Sequence, residues 1–538
     1  MNIYFLGIMI SMVIYIIIGI WSGKKVKNVN DYYVSGRSAP TIMIFATLFA
    51  SMLSVNGFMG DLGWSFTGNI VSMMIINALC AVGYVLGPVI FGKYLRRSNC
   101  ITMPQYFGER YNNRKNRQVA GIITIISITA YLLSSINGVG ILLNALLPDL
   151  SHSTSLILSW LCFTAFTFYS GSRGVILTDL VMSILFIGSS IIGGIFIFNA
   201  TGGVQNLLYN LLQNPYAPEG ILNYHSYIAG TGATTPFGAT MYAIIMGIVW
   251  MITVAVSPWQ AGRNLMAKNE HVIFRSGALS AITTILFLLF LNLSAVSVLN
   301  INPHLEQPEM VFIWASFNVM PELVSTIILT GILAAGLSSA STFLSVIGFS
   351  ATSDIFNIKF KDDKSKLKSS RIVMLFISLI ALGLSLAGMG GIRVIAWFAS
   401  TIIAASWAVP AIGSIWWSKL SAMGARWAMM AGFMFFMVSR ILVELIPNIF
   451  SSIFTNFLDP FFIGIYASAV FAIIGSKISP ITTEEKAYRK NIMRIPSQDL
   501  SLKEYKINIK YAYLLIISGI TVSVFLVMFW GLPMVSHY

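Results

Sequence analysis

Charge is scarce in this chain. Only 10% of its 538 residues are Asp, Glu, Lys or Arg, while 56% are hydrophobic. Mean hydropathy is +0.79. A soluble chain of this length cannot cover itself with so little polar surface, so the composition describes an all-α, multi-pass membrane protein. Cysteine is nearly missing: Cys80, Cys100 and Cys162 lie in or beside apolar runs without metal-ligand spacing, and reduced, structural thiols are expected. The five histidines fall in loops or at the terminus, and none makes a metal constellation with Cys or a carboxylate. No Walker-type glycine-rich loop is present, which disfavours an ATP-driven pump. No nucleophile elbow is present either. No enzyme chemistry and no organic cofactor are expected, so uphill work would draw on an ion gradient.

Apolar runs of spanning length fall at about 3–22, 41–64, 68–92, 119–147, 153–169, 174–200, 237–258, 274–299, 323–352, 371–391, 395–416, 424–446, 460–476 and 511–532, fourteen in all. The net charge of +14 follows this alternation: 31 of the 33 Lys and Arg fall in segments on one side. Only Arg393, in a turn on the other side, and Arg440, inside a span, stand apart. By the positive-inside rule both termini are external (periplasmic) and the chain belongs in a plasma (bacterial inner) membrane. The basic balance serves topology and contact with anionic membrane lipids, and nucleic-acid binding drops out.

The chain divides into residues 1–40, a first span with its cytoplasmic loop; 41–200, five spans; 201–236, an external loop; 237–416, five more spans; and 417–538, three further spans with a cytoplasmic linker. The two five-span blocks begin on opposite sides of the membrane, which is the parity of an inverted repeat. In 41–64 the run Ser51-Met52-Leu53-Ser54-Val55-Asn56-Gly57 puts polar and glycine residues at mid-membrane, as an unwound stretch lining a site would. A weaker break is expected at Ser257-Pro258.

The stretch Gly331–Ser345 sets Ser338, Ser341, Thr342 and Ser345 on one helical face. Alone, this pattern reads either as close helix packing with hydroxyls bonded to carbonyls a turn earlier, or as an oxygen cage for a hard cation. Intramembrane charges narrow the choice, since each costs about 2.5–3.5 kcal/mol and needs a partner or a task. Asp179 reads as a hydrated helix-end carboxylate or a partner of Arg173, or else as a cation ligand. Arg440 and Glu444, four apart, are expected to pair. Asp61 and Asp354, near span ends, are read as interfacial.

Four segments resemble the sodium:solute symporter family: Asp31-Tyr32-Tyr33-Val34-Ser35-Gly36-Arg37-Ser38, Met103-Pro104-Gln105-Tyr106-Phe107-Gly108-Glu109-Arg110-Tyr111, Gly171 to Asp179, and Ala334 to Asp354. Their joint order extends the resemblance over about residues 1–480. It implies a LeuT-like fold of five plus five inverted spans, one flanking span before and three after, with about 14 transmembrane helices. It also implies sodium held by the carbonyls of Ala50, Leu53 and Ala335 and the hydroxyls of Ser338 and Ser339. Neutral oxygens suit this hard monovalent ion. Some relatives hold a second sodium, whose ligand positions fall on Asp179, Ser338, Ser341 and Thr342.

The resemblance further implies a sodium-coupled symporter that imports a small organic solute by alternating access. Sugar-binding contacts of the family match Met52 and Gly57 here, the proline-type acid also matches Met52, and no Arg lies between Val119 and Pro148 as in the sialic-acid type. A small, partly apolar solute is expected, with Ser54, Asn56, Ser134, Ser135, Asn137, Trp250 and Thr253 as pocket residues. The rival readings are a solute sensor of the same fold and a proton-coupled carrier. No catalytic segment follows the last span, so a sensor would need a separate partner. No obligatory protein partner is evident.

Overall fold

The computed structural model describes residues 3–23, 33–356, 362–388 and 390–537. Apolar runs separated by Gly, Pro and Asn turns must fold as helices in a bilayer, because only a helix satisfies its own backbone there. The longer helices are α1 (Ile3–Gly23), α2 (Thr41–Met52), α3 (Ile70–Gly87), α4 (Arg114–Leu146), α5 (His152–Ala200), α6 (Pro236–Val256), α7 (Glu270–Ser297), α8 (Glu322–Phe349), α9 (Asp363–Leu386), α10 (Ile392–Trp416), α11 (Ala422–Leu445), α12 (Pro460–Ile478) and α13 (Leu502–Leu526). Among the described residues the only β pairing is an isolated bridge between Ala39 and Ala267.

Eleven helical stretches among the described residues are long and apolar enough to cross a membrane, joined by two shorter apolar helices, Ile3–Ile18 and Thr41–Met52. The expected count of fourteen is not reproduced. The spans expected at 153–169 and 174–200 fall within the single helical element α5, of which Ile176–Ala200 alone qualifies. Residues 41–64 are split by their break, which leaves α2 short. Burial grades across the bundle: 83% of the core window of α8 is buried and none of that of α13. The helix carrying the hydroxyl face is therefore central, and the last is peripheral.

The expected break in 41–64 is real and shorter than the polar run suggested. α2 stops at Met52, Leu53 leaves helical geometry at φ −77 and ψ 11, and helical turns resume by Val55. Close packing fixes this break in place. Val55 wedges between α4 and α8, and a methyl added at Gly138 or Gly336 would come within 1.8 or 2.9 Å of its side chain. Beyond the break, Gly68 at φ +101 turns the chain into α3, a conformation open to glycine at little cost. The second expected break is the end of α6. Ser257 is extended at ψ 153, and after Pro258 a tight turn spans Ala261–Met266.

Two of the resembling segments build the basic end of the bundle. Ser35, Gly36 and Arg37 all adopt positive φ, which delivers the Arg37 guanidinium to the carbonyls of Asn99 and Cys100. Thr102 caps the helix Met103–Arg110. Arg110, fully buried, donates to the carbonyls of Ser414 and Glu485. Burial pushes the Cys100 thiol up to about 11, the state of an inert structural thiol.

Candidate functional site

The hydroxyl face of α8 divides by partner. Ser341 and Thr342 both donate to the Ser338 carbonyl, at 2.9 and 3.1 Å, and Ser345 donates to the Ser341 carbonyl at 2.8 Å. These three follow the packing reading, with hydroxyls folded back on their own helix. Ser338 and Ser339 do not. Ser338 Oγ reaches across to α5 and donates to Asp179 Oδ1 at 2.6 Å. Ser339 Oγ is fully buried and has no hydrogen-bond partner among the described residues. A buried hydroxyl without a partner costs about 1–3 kcal/mol, so its position needs an explanation.

Asp179 is the node of the site. Its Oδ2 accepts from Thr47 Oγ1 of α2 at 2.5 Å, its Oδ1 accepts from Ser338, and its side chain is wholly buried. One carboxylate thus joins α2, α5 and α8. Ser183, one turn further along α5, donates to the Ala46 carbonyl and holds α5 against α2. The carbonyls of the last turn of α2, including that of Ala50, are those a helix end leaves without intrahelical donors. Leu53 lies in the break itself. A hydroxyl whose proton is committed to a carboxylate presents its lone pairs to a cation, and Ser338 is held in that state.

Arg263 was not among the sequence candidates. Its guanidinium lies 3.8 Å from Asp179 Oδ2 and donates to Thr342 Oγ1. The turn after Pro258 delivers it: Ser257 Oγ accepts from the Gln260 amide, and the Arg263 amide closes on the Gln260 carbonyl. The sequence signal was a basic residue just beyond a helix-ending Ser-Pro. The expected pairing of Asp179 with Arg173 lies outside the described side chains. Toward the basic end, Arg263 and Thr342 line a cavity of about 60 Å³ with Trp259, Ser345, Phe349 and Tyr33.

The proposed solute residues are only partly gathered. Ser54 Oγ is 3.4 Å from the Tyr131 hydroxyl, and Ser135 donates to the Tyr131 carbonyl. The Tyr131 ring packs on Phe343 and Trp259, centroids 4.7 and 5.5 Å away. These three aromatics form a wall beneath the break that the sequence reading missed. Asn56 donates to Asp61 at 3.3 Å, and its own carbonyl oxygen is buried without a partner. Ser134 and Thr253 donate to carbonyls of α10, those of Ile392 and Ser400. Asn137 accepts from Ser385 of α9, so it turns toward that helix. Trp250 is buried in the core.

Of the two acids read as interfacial, Asp61 is half-buried and Asp354 is buried. Asp354 accepts from Arg117 Nε at 2.8 Å, and from Thr102 and Ser350 at 3.0 Å each. It ties the end of α8 to α4 and to the cap at Thr102. Asp61 accepts from Trp397 Nε1 at 3.1 Å, beside Arg393, whose guanidinium lies between the rings of Trp64 and Trp397. A long-range partner, invisible in local hydropathy, explains the burial of Asp354. Arg440 and Glu444 do pair, at 2.5 Å, and the cysteines are free.

A helical bundle with a broken span, a hydroxylated central helix and a buried carboxylate between them has the form of an ion-coupled membrane transporter. The chain belongs to the sodium:solute symporter family, whose model matches residues 32–432. It is 25% identical over 443 residues to the osmoregulated proline transporter OpuE of Bacillus subtilis, covering 79% of this chain and 87% of that one. It is 24% identical over 460 residues to the sodium/pantothenate symporter of Haemophilus influenzae, covering 79% and 89%. In fold it matches a Na⁺-coupled sialic acid symporter with a TM-score of 0.72 at 16% identity, over 90% of this chain and 99% of the other. The LeuT-like architecture expected from the sequence follows from that match.

Proposed function

We propose that this membrane protein imports a small organic solute together with sodium, bound between the end of α2 and the face of α8 by the carbonyls of Ala50, Leu53 and Ala335 and the hydroxyls of Ser338 and Ser339. The observation that carries the reading is the Ser339 hydroxyl, buried and without a partner among the described residues, one position from a Ser338 whose proton is already given to Asp179. An ion supplies the contact that no described protein group makes. Of the second oxygen set, Asp179, Ser338, Ser341 and Thr342, Asp179 and Thr342 already meet a cation, the Arg263 guanidinium.

The relatives carry proline and pantothenate. Both are compact organic acids, and a small, partly apolar carboxylate suits this chain, which has Met52 at the break and an aromatic wall of Tyr131, Phe343 and Trp259. Ser54, Asn56 and Tyr131 are the polar groups nearest the break. The basic end is taken as cytoplasmic and both termini as external. One sodium entering through ~100 mV yields about 2.3 kcal/mol, and a tenfold gradient adds about 1.4 kcal/mol. Together they support accumulation of a few hundredfold. The deciding measurement is uptake of labelled proline, pantothenate and related small acids into proteoliposomes against external sodium. Uptake should saturate with sodium and vanish when potassium replaces it. Uptake of a solute that persists in potassium, at fixed pH, refutes sodium coupling.

A further inference from the structure

We propose that Arg263 is a built-in counter-cation for Asp179, occupying the place a second sodium would take, so that the chain binds and carries one sodium per cycle. The inference deepens the sodium-coupled reading above and rests on it.

Charge balance comes first. Asp179 is wholly buried and Arg263 is 3% exposed. A lone carboxylate or guanidinium is not stable in such a place, but together they are neutral. A second sodium at Asp179 would leave the group with a net positive charge while the first site, sharing Ser338, holds another cation a few atoms away.

Ligand geometry leads to the same conclusion. Asp179 Oδ1 is engaged by Ser338 and Oδ2 by Thr47, and Oδ2 faces Arg263 as well. Thr342 Oγ1 receives an N–H from Arg263 and gives its own proton to the Ser338 carbonyl. Of the four oxygen-bearing residues expected to hold a second ion, two therefore meet the guanidinium directly and a third is tied to Asp179. A guanidinium N–H directed at an oxygen leaves no room for sodium on that lone pair. The turn 257–266 is fastened at both ends, by the Ser257 hydroxyl on the Gln260 amide and by the Ala39 amide on the Met266 carbonyl. Arg263 is thus delivered by a folded structure and is not a loose side chain from a loop.

Arg263 also stands where the cavity at the basic end meets the hydroxyl face. An ion moving from Ser338 toward that end passes the guanidinium, whose like charge disfavours a resting place beside Asp179. One cation is bound near α2, and the second is part of the protein.

The test uses the purified full-length chain in detergent and ²²Na⁺ as the probe, with no solute required. Wild type should bind one sodium per chain. In Arg263→Gln the carboxylate loses its partner, the count should rise to two, and the sodium dependence of thermal protection should steepen. Arg263→Gln with Asp179→Asn should return to one. Arg263→Lys, which keeps the charge and guards against a folding failure in the Gln variant, should bind one. Two sodium ions in wild type, or one in a folded Arg263→Gln, overturns the proposal while leaving sodium coupling intact. No sodium bound by wild type removes the coupling reading and this inference with it.

Discussion

Asp61 and Asp179 both sit near an arginine within the bundle, but the two arrangements use different chemistry. Asp179 is linked to Arg263 through hydroxyls: Thr47 and Ser338 bond the acid, Thr342 bonds the base, and α2, α5 and α8 all contribute. At the other end Arg393 sits against two indole rings set 75° to each other, 3.6 Å from the centroid of Trp64 and 3.7 Å from that of Trp397. Asp61 accepts from the Trp397 indole itself, and Arg393 reaches the Tyr242 hydroxyl at only 3.3 Å. Directional bonds from three helices fix a charge in place. Ring faces hold a charge by attraction to their π-clouds, with few directional bonds. The first arrangement suits a permanent part of an ion site. The second joins the half-helix after the break to α10, two elements that must part if solute is to enter from that end.

Removing the carboxylate charge should separate the two most sharply. Asp179→Asn leaves the Arg263 guanidinium buried and unpaired, and such a loss typically costs 3–5 kcal/mol, about the largest effect expected in this chain. Asp61→Asn keeps an acceptor for Trp397, and Arg393 keeps both rings, so about 1 kcal/mol is expected. Thermal unfolding in matched detergent measures both. Equal losses would erase the distinction drawn here. Sodium-dependent protection should also disappear in Asp179→Asn, because the buried Arg263 charge, no longer balanced, opposes a cation beside Ser338.

The next effect sharpens the reading of α8. Ser339→Ala removes the partnerless hydroxyl, and the half-saturating sodium concentration should rise about tenfold or more, in line with the 1.5–3 kcal/mol of a contact to a charged group. Ser345→Ala should leave sodium affinity unchanged, since that hydroxyl is bonded to the Ser341 carbonyl. A similar shift in both variants would mean that the whole face, and not its first turn, meets the ion.

Smaller still is the effect at the Arg393 stack. Arg393→Lys keeps the charge but gives up the flat guanidinium beside two indoles, contacts each worth about 0.5–1 kcal/mol where partly exposed. The loss should appear in access more than in stability. Asn56→Cys, in the half-helix beside this stack, should react faster with an impermeant maleimide when Arg393 is Lys. An unchanged labelling rate would show that the stack does not close that end.

How far the sequence could be read depended on whether a feature was local. The break at Leu53 was legible because Ser51, Ser54, Asn56 and Gly57 crowd the middle of an apolar run. Its true extent was not, since Asn56 and Gly57 return to helical geometry once Val55 is clamped between Gly138 and Gly336. Ser338 and Asp179 could be linked through a family resemblance, and they do meet. Arg263 was legible only as one basic residue among many at that end, because nothing local says that the turn after Pro258 folds inward. Asp354 was misread for the same reason: position near a span end suggests water, while its partner Arg117 lies hundreds of residues away.

The weakest expected effect isolates what burial contributes. Arg440 and Glu444 pair at 2.5 Å, closer than the 3.8 Å of Arg263 and Asp179, yet their side chains are 41% and 63% exposed. If distance set the worth of an ion pair, this one would outweigh the inner pair. Exposure lets water and salt screen it, and two mobile side chains must be ordered to make it, so less than about 1 kcal/mol is expected. Glu444→Gln should therefore leave the unfolding midpoint nearly unchanged and sodium binding untouched, whereas Asp179→Asn alters both. A loss in Glu444→Gln as large as in Asp179→Asn would mean that α11 carries its arginine in hydrocarbon. The inner pair would then owe its importance to the membrane around it and not to the hydroxyls that hold it.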